Sequence, residues 1–319
     1  METTGGTCLI VGCGYVGLRL ARHQAAQGAA QGAVQGAAQG AALGPVLALV
    51  RRAASAEALS QEGIPALVLD LDDAAPTASL PDSLRPGSVV YLAPPSGLGT
   101  DDLRLARCLE LLGGTRPEVL LYLSTTGVYG DTGGTAVDEV SPVAPGDARA
   151  RQRVAAEGRV TRWCAERGVR GVVVRVPAIY GPQRLPLDRL LRGEPVLRPE
   201  DSAPGNRIHV DDLVVACLAA LARPVSGTFN VTDGLPESMA DFTTRVAGLA
   251  GLPAPPRISW AEAQQVLSPG LLAFLRERRR VETRRAQELG WAPRYANPDE
   301  GIRASLVEMG WIAPSSGGR

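Results

Sequence analysis

Short apolar runs, each bounded by glycine, proline or polar residues, recur along the N-terminal part of the chain. These runs are Cys8–Val11, Val46–Val50, Ala66–Leu69, Val89–Ala93, Val119–Leu123 and Gly171–Val176. They are apolar at nearly every position, which is typical of strands buried on both faces of a parallel sheet. Helical stretches separate most of them and would form right-handed crossovers over the sheet. The pattern predicts a doubly wound α/β domain with a parallel sheet.

Helix signals follow the same order along the chain. A helix is predicted from Ser55, as N-cap, to Glu62, and a long one from Asp147 to Arg167, with Gly63 and Gly168 as their ends. Beyond Pro182 the segments become shorter, and the helices predicted there are Asp211–Ala222, Ser238–Ala250, Thr283–Leu289 and Pro298–Met309. We therefore expect a first domain over residues 1–182 and a smaller C-terminal α/β substrate-binding domain over 183–319, with part of 207–235 returning to the first domain.

A low-complexity segment interrupts the pattern between the first two apolar runs. From Ala25 to Pro45 a QGAA unit is repeated. Alanine favours a helix, but each glycine in a helix interior costs about 1 kcal/mol, so a weak helical extension and a flexible loop both fit. We interpret the segment as a tolerated surface insertion.

The composition excludes several classes of protein. Basic and acidic residues balance at 33 each, and all the basic ones are arginine, because the sequence contains no lysine. Balanced charge argues against a nucleic-acid partner, and a lysine-free chain forms no Schiff base and has no P-loop lysine. The two histidines and five cysteines form no metal-ligand pattern. No signal peptide or membrane span is apparent, so we expect a cytoplasmic protein with a small-molecule partner and no metal.

A glycine-rich loop follows the first predicted strand. Its sequence is Gly12-Cys13-Gly14-Tyr15-Val16-Gly17, and a helical segment comes next. In a strand–turn–helix unit such glycines allow a tight turn and the close approach of a pyrophosphate to the helix N-terminus. The loop therefore predicts a dinucleotide site that involves Gly12, Gly14, Tyr15, Val16 and Gly17.

The residues after the second and third strands bear on which dinucleotide binds. An NAD site usually has an acidic residue after the second strand, to accept hydrogen bonds from the ribose 2′-hydroxyl, whereas this chain has Arg51 and Arg52. Two guanidinium groups favour a 2′-phosphate, so we expect NADP(H) to be preferred, with NAD(H) as the other candidate. Alternatively, both arginines are solvated. Asp70 either bonds the adenine edge or caps a turn.

The glycine loop and six further stretches extend the pattern. They are VGCGYVG, YLAPP (Tyr91–Pro95), LSTTGVYGD (Leu123–Asp131), VDE (Val137–Glu139), RVPAIYGP (Arg175–Pro182), RIHVDDL (Arg207–Leu213) and GTFNVTDG (Gly227–Gly234). In this order they resemble the extended short-chain dehydrogenase/reductases, specifically the NAD-dependent epimerase/dehydratase family and its small YeeZ-type branch. The resemblance implies a Rossmann fold and further cofactor contacts at Ala93, Pro94 and Pro177.

The same resemblance implies a Ser/Thr–Tyr–Lys catalytic set over the nicotinamide. Thr125 matches the Ser/Thr position and would hold the substrate oxygen, but the tyrosine and lysine positions fall on Arg149 and Arg153. Arg153 retains donors for the nicotinamide ribose, whereas Arg149 can only polarise a carbonyl or pair with an anion, since a guanidinium hardly releases a proton near neutral pH. The alternative is that both arginines are solvated on the outer face of the helix.

Candidate substrate contacts come from the loops of the family pattern. Tyr129 and Tyr180 are assigned to this role, and Arg207 matches an arginine that approaches substrate phosphates in nucleotide-sugar members. The alternative for Arg207 is a salt bridge to Asp211 or Asp212. Other candidate acid–base groups are the loop carboxylates Asp131, Asp138 and Glu139.

These residues lead to two functional hypotheses. The first is an NADP(H)-dependent oxidoreductase, or an epimerase/dehydratase-like enzyme, that acts on a small carbonyl, hydroxyl or sugar-type substrate with an altered proton-transfer apparatus. The second is a catalytically silent NADP-binding protein that senses the redox state and signals through a partner. The family also allows a homodimer through the predicted 147–167 helix.

Overall fold

The computed structural model of the protein describes residues 6–33, 44–73, 80, 84–97 and 99–314, except for the side chains of 27–33 and 273–274. The described strands are β1 (Thr7–Val11), β2 (Val46–Val50), β3 (Ala66–Val68), β4 (Pro86–Tyr91), β5 (Val119–Thr125), β6 (Ala136–Val137), β7 (Arg170–Val176), β8 (Ala178–Tyr180), β9 (Val196–Leu197), β10 (Pro204–Gly205), β11 (Arg207–His209), β12 (Gly227–Asn230), β13 (Glu237–Ser238), β14 (Arg257–Ile258) and β15 (Arg280–Val281). The described α-helices are α1 (Tyr15–Ala33), α2 (Ala53–Gln61), α3 (Leu103–Leu112), α4 (Ala148–Arg167), α5 (Leu187–Leu191), α6 (Val210–Ala222), α7 (Met239–Leu249), α8 (Trp260–Val266), α9 (Pro269–Arg276) and α10 (Pro298–Glu308). Short 3₁₀ turns are formed by Thr126–Tyr129, Pro199–Asp201 and Ala286–Leu289.

The central element is a seven-stranded sheet in the order β12-β7-β5-β4-β1-β2-β3, in which every neighbouring pair is parallel. The predicted doubly wound α/β fold is confirmed. Strand β4 begins earlier than its apolar run, because Pro86 and the buried Ser88 pair with Thr7 and Cys8 of β1, with a register shift at Gly87 between them. A Cβ on Gly87 would lie 2.8 Å from the Cα of Gly6, so the two backbones approach each other too closely for a side chain.

Helices cover the two faces of the sheet. On one face α1, α2 and α6 contribute buried side chains such as Leu20, Leu59 and Leu213. On the other face α3 and α4 contribute Leu105 and Val160. Burial of each large apolar side chain stabilises the fold by roughly 1.5–3 kcal/mol. Because the strands are apolar on both faces, this burial holds the sheet between the two layers of helices.

Helix α4 begins and ends as its sequence predicts. The side chain of Asp147 accepts a hydrogen bond from the Ala150 amide, 2.7 Å away, and Gly168 ends the helix with a φ of 66°. Helix α2 differs: it begins at Ala53 without a side-chain cap, and Ser55 lies inside it. The predicted 283–289 helix is wrong beyond a single 3₁₀ turn, because the preceding chain forms β15 and pairs with β6.

The chain beyond residue 182 divides its packing between two cores. Strand β12 pairs with β7, and α6 packs in the same core as α1. A smaller apolar cluster joins Tyr180, α5, α7 and α10. In the QGAA segment α1 continues to Ala33, and residues 34–43 of the repeat lie outside the described residues.

A buried polar network ties α4 to the sheet. The Arg175 guanidinium of β7 donates to both carboxylate oxygens of Glu157 on α4, at 3.1 Å and 2.7 Å, and Ser124 of β5 donates to the same carboxylate. Arg175 also donates to the Tyr129 hydroxyl, and this hydroxyl donates to the side-chain oxygen of Asn230 on β12; both hydrogen bonds are 2.9 Å long. The Glu157 and Arg175 side chains are 10% and 8% exposed, so water would hardly solvate either charge if its partner were removed.

We predict that Glu157→Gln lowers the free energy of unfolding by about 3–5 kcal/mol, because it leaves the Arg175 charge buried without its counter-ion. Chemical denaturation followed by circular dichroism measures the change. The control is Glu166→Gln on the same helix, whose side chain is 59% exposed and whose loss should cost at most about 0.5 kcal/mol. Equal stability of the two variants would contradict the assignment of Glu157.

Candidate active site

A cleft of about 720 Å³ lies between the carboxyl ends of the sheet strands and the C-terminal part of the chain. In doubly wound folds, ligands bind at this edge of the sheet. On one side the cleft is lined by Pro94 and Pro95 after β4, Thr125, Thr126 and Gly127 at the end of β5, Asp147, Arg149, Ala150 and Arg153 at the start of α4, and Pro177 and Ala178 after β7. Residues of the C-terminal part close its other side.

Each of the three glycines in the loop after β1 lacks a side chain for a different physical reason. Gly12 has a φ of 91°, and a Cβ there would lie 2.6 Å from the Ala93 amide nitrogen. A Cβ on Gly17 would lie 2.6 Å from the Gly12 carbonyl oxygen, so this glycine lets α1 pack against the turn. A Cβ on Gly14 would meet nothing within 4 Å, so the space above it is open to a ligand. The loop thus fits a dinucleotide pyrophosphate at the N-terminus of α1.

The side chains of the two residues between Gly14 and Gly17 point away from the space above Gly14. Tyr15 donates from its hydroxyl to the Pro182 carbonyl oxygen at 2.8 Å, and the Arg184 guanidinium lies 4.4 Å from its ring centroid. Val16 is buried in the core, so only its backbone is available to a cofactor. Pro94 and Pro177 line the cleft, whereas Ala93 is buried behind Gly12.

Arg51 and Arg52 follow β2 at the same edge and are exposed. Arg51 lies 3.7 Å from the Asp72 carboxylate, and its side chain is 55% exposed. The Asp70 carboxylate accepts a hydrogen bond from the Asp72 amide at 2.9 Å. This contact is the one expected if Asp70 caps a turn.

Thr125, Arg149 and Arg153 meet at the cleft. Thr125 Oγ1 accepts a hydrogen bond from the Gly127 amide at 3.1 Å, which leaves the hydroxyl hydrogen for a substrate oxygen. Arg153 Nη1 donates to the Tyr122 hydroxyl and to the Leu123 carbonyl oxygen, each at 2.9 Å, so it is not a solvated outer-face residue. Arg149 is exposed and has no carboxylate partner in the described parts of the chain.

Tyr129 and Tyr180, the other assigned substrate contacts, are not among the residues that line the cleft. Tyr129 belongs to the buried network, and Tyr180 packs edge-on against His209 and Phe242. The loop carboxylates hold backbone amides instead of facing the cleft: Asp131 binds those of Gly133 and Arg278, Asp138 those of Val140 and Ser141, and Glu139 those of Asn230 and Arg285.

Arg207 does line the cleft, although it is buried. Its guanidinium donates to the Glu237 carbonyl oxygen at 2.8 Å, lies 3.9 Å from the Glu237 carboxylate and stacks 4.4 Å from the centroid of Phe242. The alternative of a salt bridge to Asp211 or Asp212 is wrong, because Asp212 accepts the amides of Arg294 and Tyr295 instead.

The C-terminal part adds charged residues that sequence reasoning missed: Arg184, Arg189, Glu237, Glu277 and Arg279. Including these, six arginines and three carboxylates line the cleft. Arg189, Arg207 and Arg279 pair with Glu194, Glu237 and Glu277. No carboxylate within salt-bridge distance accompanies Arg149, Arg153 or Arg184 among the described residues, so the cleft favours an anion.

Glu277 is the cleft carboxylate whose salt-bridge partner contacts the turn after Thr125. Its partner Arg279 donates to the Gly130 carbonyl oxygen at 3.0 Å, and its own Oε1 approaches Gly146, just before α4. Asp147 caps α4, and Glu237 also binds Arg245. Among the described lining residues there is no tyrosine, histidine or cysteine, which leaves the carboxylates as the candidate general bases.

A Ser–His–Asp arrangement in the C-terminal part does not have the geometry of a catalytic triad. His209 Nε2 lies 3.1 Å from Ser305 Oγ, and Nδ1 lies 3.7 Å from the Asp211 carboxylate. Burial lowers the pKa of His209, and Nδ1 accepts the Asp211 amide, so Nε2 carries the proton and donates to Ser305. The serine in turn donates to the Gly301 carbonyl oxygen. Both side chains are buried, and their bonds cap α6 and attach α10.

Comparison with known proteins agrees with this architecture. The model of the NAD dependent epimerase/dehydratase family matches residues 8–232, and the chain belongs to that family. A conserved protein of unknown function from Silicibacter pomeroyi is 30% identical, with 95% of this chain and 99% of that chain covered and a TM-score of 0.74. UDP-glucuronic acid 4-epimerase from Bacillus cereus in complex with NAD shares the fold at 14% identity, with 95% and 98% covered and a TM-score of 0.72.

One curated relative, the 3-diazoavenalumate denitrifying reductase of a Streptomyces species, is 29% identical over 156 residues. The match covers 47% of this chain and about half of that relative, 51% of its length. No helix in the described parts of the chain is long and apolar enough to cross a membrane, and no described cluster of His, Cys, Asp or Glu is arranged to hold a metal ion.

We predict that Ser305→Ala lowers the free energy of unfolding by about 1–3 kcal/mol, because the buried His209 Nε2–H loses its acceptor, and leaves the affinity for a nicotinamide dinucleotide unchanged. Denaturation and calorimetric titration measure the two quantities. Labelling of Ser305 by a fluorophosphonate in the native protein would contradict the structural role, since the reaction needs an exposed, activated hydroxyl.

Proposed function

We propose that the protein is an NADP(H)-dependent oxidoreductase that acts on an anionic carbonyl, hydroxyl or sugar-type substrate, with arginines in place of the usual tyrosine and lysine. The observation that carries the proposal is the meeting of Thr125, Arg149 and Arg153 in one cleft, beside a glycine loop that fits a dinucleotide. The five cysteines are free thiols, which supports the expected cytoplasmic location.

Each cleft residue then has a defined task. The nicotinamide, when bound, supplies or accepts hydride. Thr125 donates its hydroxyl hydrogen to the substrate oxygen, and Arg153, fixed by Tyr122 and Leu123, directs its remaining N–H groups towards the cleft. Arg149 pairs with negative charge on the substrate or polarises its carbonyl. The nicotinamide ribose is the proposed acceptor for Arg153.

Glu277 is the proposed proton-transfer group. Its carboxylate lies in the cleft, is 23% exposed and is held by Arg279, which is itself anchored to the turn after Thr125. In the oxidation direction this carboxylate takes the proton of the substrate hydroxyl, and in reduction the protonated form returns it.

The relatives support two kinds of substrate. The epimerase from Bacillus cereus is named for a UDP-sugar acid, and the unpaired arginines of the cleft suit such an anion. The Streptomyces relative is named a reductase of a diazo compound. Hydride addition to a diazonium carbon releases dinitrogen and forms no alkoxide, so it needs no proton donor, which suits a site without the tyrosine. An assay panel therefore includes UDP-sugars, carbonyl compounds and an arenediazonium salt that carries a carboxylate, since the cleft favours an anion.

The absence of a tyrosine from the described cleft lining also favours the second hypothesis, a silent NADP-binding sensor. Its signature is tight NADPH binding without turnover of any panel member. A partner whose affinity depends on the redox state of the bound cofactor would support the sensor, whereas NADPH oxidation by a panel member would support the enzyme.

We predict that the protein binds NADP⁺ about tenfold more tightly than NAD⁺, and that the double substitution Arg51→Ala with Arg52→Ala abolishes this preference by removing both cations from the 2′-phosphate. Isothermal titration calorimetry with both cofactors provides the measurement. Arg116→Ala, at the opposite edge of the sheet before β5, is the control and should keep the preference. Equal affinities in the parent protein would contradict the choice of NADP.

We predict that Arg149→Tyr with Arg153→Lys raises NADPH-dependent carbonyl reduction by about 10²–10⁴, because a phenol beside an ammonium restores a general acid. Each single substitution should gain less, since a lone phenol retains a pKa near 10 and a lone lysine has nothing to activate. Steady-state kinetics on the panel measure the gain.

Glu277→Gln provides the matched comparison for this variant. It should slow the parent, which depends on the carboxylate, and leave the tyrosine–lysine variant almost unchanged. An unchanged rate in the folded, cofactor-saturated double variant would show that positions 149 and 153 are not in register with the substrate.

A further inference from the structure

The Asp72 carboxylate lies between two guanidinium groups near the expected 2′-phosphate position. Arg104 of α3 binds both of its oxygens, with Nε at 2.7 Å and Nη2 at 2.5 Å. Arg51 is farther away, with Nη1 3.7 Å from Oδ2. Arg104 therefore makes the hydrogen bonds to both carboxylate oxygens, whereas Arg51 interacts with the same carboxylate only through a longer electrostatic contact.

Arg104 is fixed in this orientation by further contacts. Its Nη1 donates to the carbonyl oxygens of Pro94 and Pro95, at 2.9 Å and 3.3 Å, and its side chain is only 18% exposed. The turn that carries Asp72 is attached to the same helix by Arg107, which donates to the Leu71 carbonyl oxygen at 2.6 Å. The Arg104 hydrogen bonds lower the pKa of Asp72, so its carboxylate is ionised at neutral pH.

An ionised carboxylate next to Arg51 would compete with a 2′-phosphate for the same guanidinium. Without Arg104, the nearest strong cation for Asp72 is Arg51, and a bidentate pair between them would occupy the donors that a phosphate needs. The carboxylate would also repel the phosphate. With Arg104 present, both oxygens accept its hydrogen bonds and Oδ2 stays 3.7 Å from Arg51 Nη1, beyond hydrogen-bond distance, so the donors of Arg51 remain available.

We propose that Arg104 is a positioning residue for cofactor choice: it holds Asp72 away from Arg51, so that Arg51 is available to a ribose 2′-phosphate. The inference rests on the proposed preference for NADP(H). It adds to that proposal a specificity determinant on α3, outside the loop after β2 where sequence reasoning places the cofactor choice.

The test is a double-mutant cycle on ligand binding, with 2′,5′-ADP and 5′-AMP as probes in isothermal titration calorimetry. Arg104→Gln should weaken 2′,5′-ADP about fivefold and leave 5′-AMP within about twofold, since the exposure of Arg51 and Asp72 limits the size of the effect. Asp72→Asn should tighten 2′,5′-ADP about threefold. In the double variant the loss caused by Arg104→Gln should disappear, because no carboxylate remains to compete.

Arg107→Gln is the matched control. It loosens the same turn from the same helix without freeing the Asp72 carboxylate, so the ratio of the two affinities should stay at the parent value. A merely structural role of Arg104 would lower both affinities together, and Arg104→Gln would then resemble this control. If Arg104→Gln does not fold, the Asp72→Asn arm decides, and an unchanged ratio in that variant overturns the inference.

The outcomes separate this inference from the proposed function. A parent that binds 2′,5′-ADP no better than 5′-AMP overturns the NADP preference, whereas a parent with that preference and a cycle without coupling overturns only the role of Arg104. A loss that persists unchanged in the double variant also overturns it. Coupling of the predicted sign supports the inference.

Discussion

The buried ion pair between Glu157 and Arg175 is the interaction on which the geometry of the site depends. Glu157 lies one helical turn after Arg153 on α4, and its carboxylate also accepts the hydroxyl of Ser124, the neighbour of Thr125. One carboxylate therefore sets the position of the helix that carries the arginines relative to the strand that carries the threonine. Because leaving either charge unpaired in the interior costs several kcal/mol, other relative positions of α4 and the sheet are strongly disfavoured.

Arginines at the expected tyrosine and lysine positions, as proposed above, would change what this fixed geometry can do. A guanidinium binds and orients anions but does not exchange protons near neutral pH, so Arg149 and Arg153 present charge and hydrogen bonds only. In the proposed mechanism a carboxylate exchanges the proton, and Glu277 lines the cleft from a segment that is distant in sequence, while its salt-bridge partner Arg279 contacts the turn after Thr125. In that mechanism, acid–base chemistry belongs to a different element from the one that carries it in the family pattern.

What sequence reasoning found and missed follows from the range of the interactions. The sheet strands, the glycine loop and the ends of α4 depend on local patterns, so the sequence predicts them. The two-residue strands β9, β14 and β15 have no periodicity, and the placement of Glu277 depends on β15 meeting β6, a contact between distant segments. Tyr129 follows β5 just as a site residue would, yet its hydroxyl turns inward because Arg175 and Asn230 both need a partner.

Arginine also serves a structural purpose at this edge of the sheet. Where parallel strands end, backbone carbonyls lose their ladder partners and must find other donors. Arg153 donates to the Leu123 carbonyl, Arg104 to those of Pro94 and Pro95, and Arg279 to that of Gly130. A guanidinium has five N–H donors in one plane, so it satisfies a carbonyl and still directs donors elsewhere, which the point charge of a lysine does less well. Two of these loop-ordering side chains, Arg153 and Arg279, also line the cleft and so contribute to its charge.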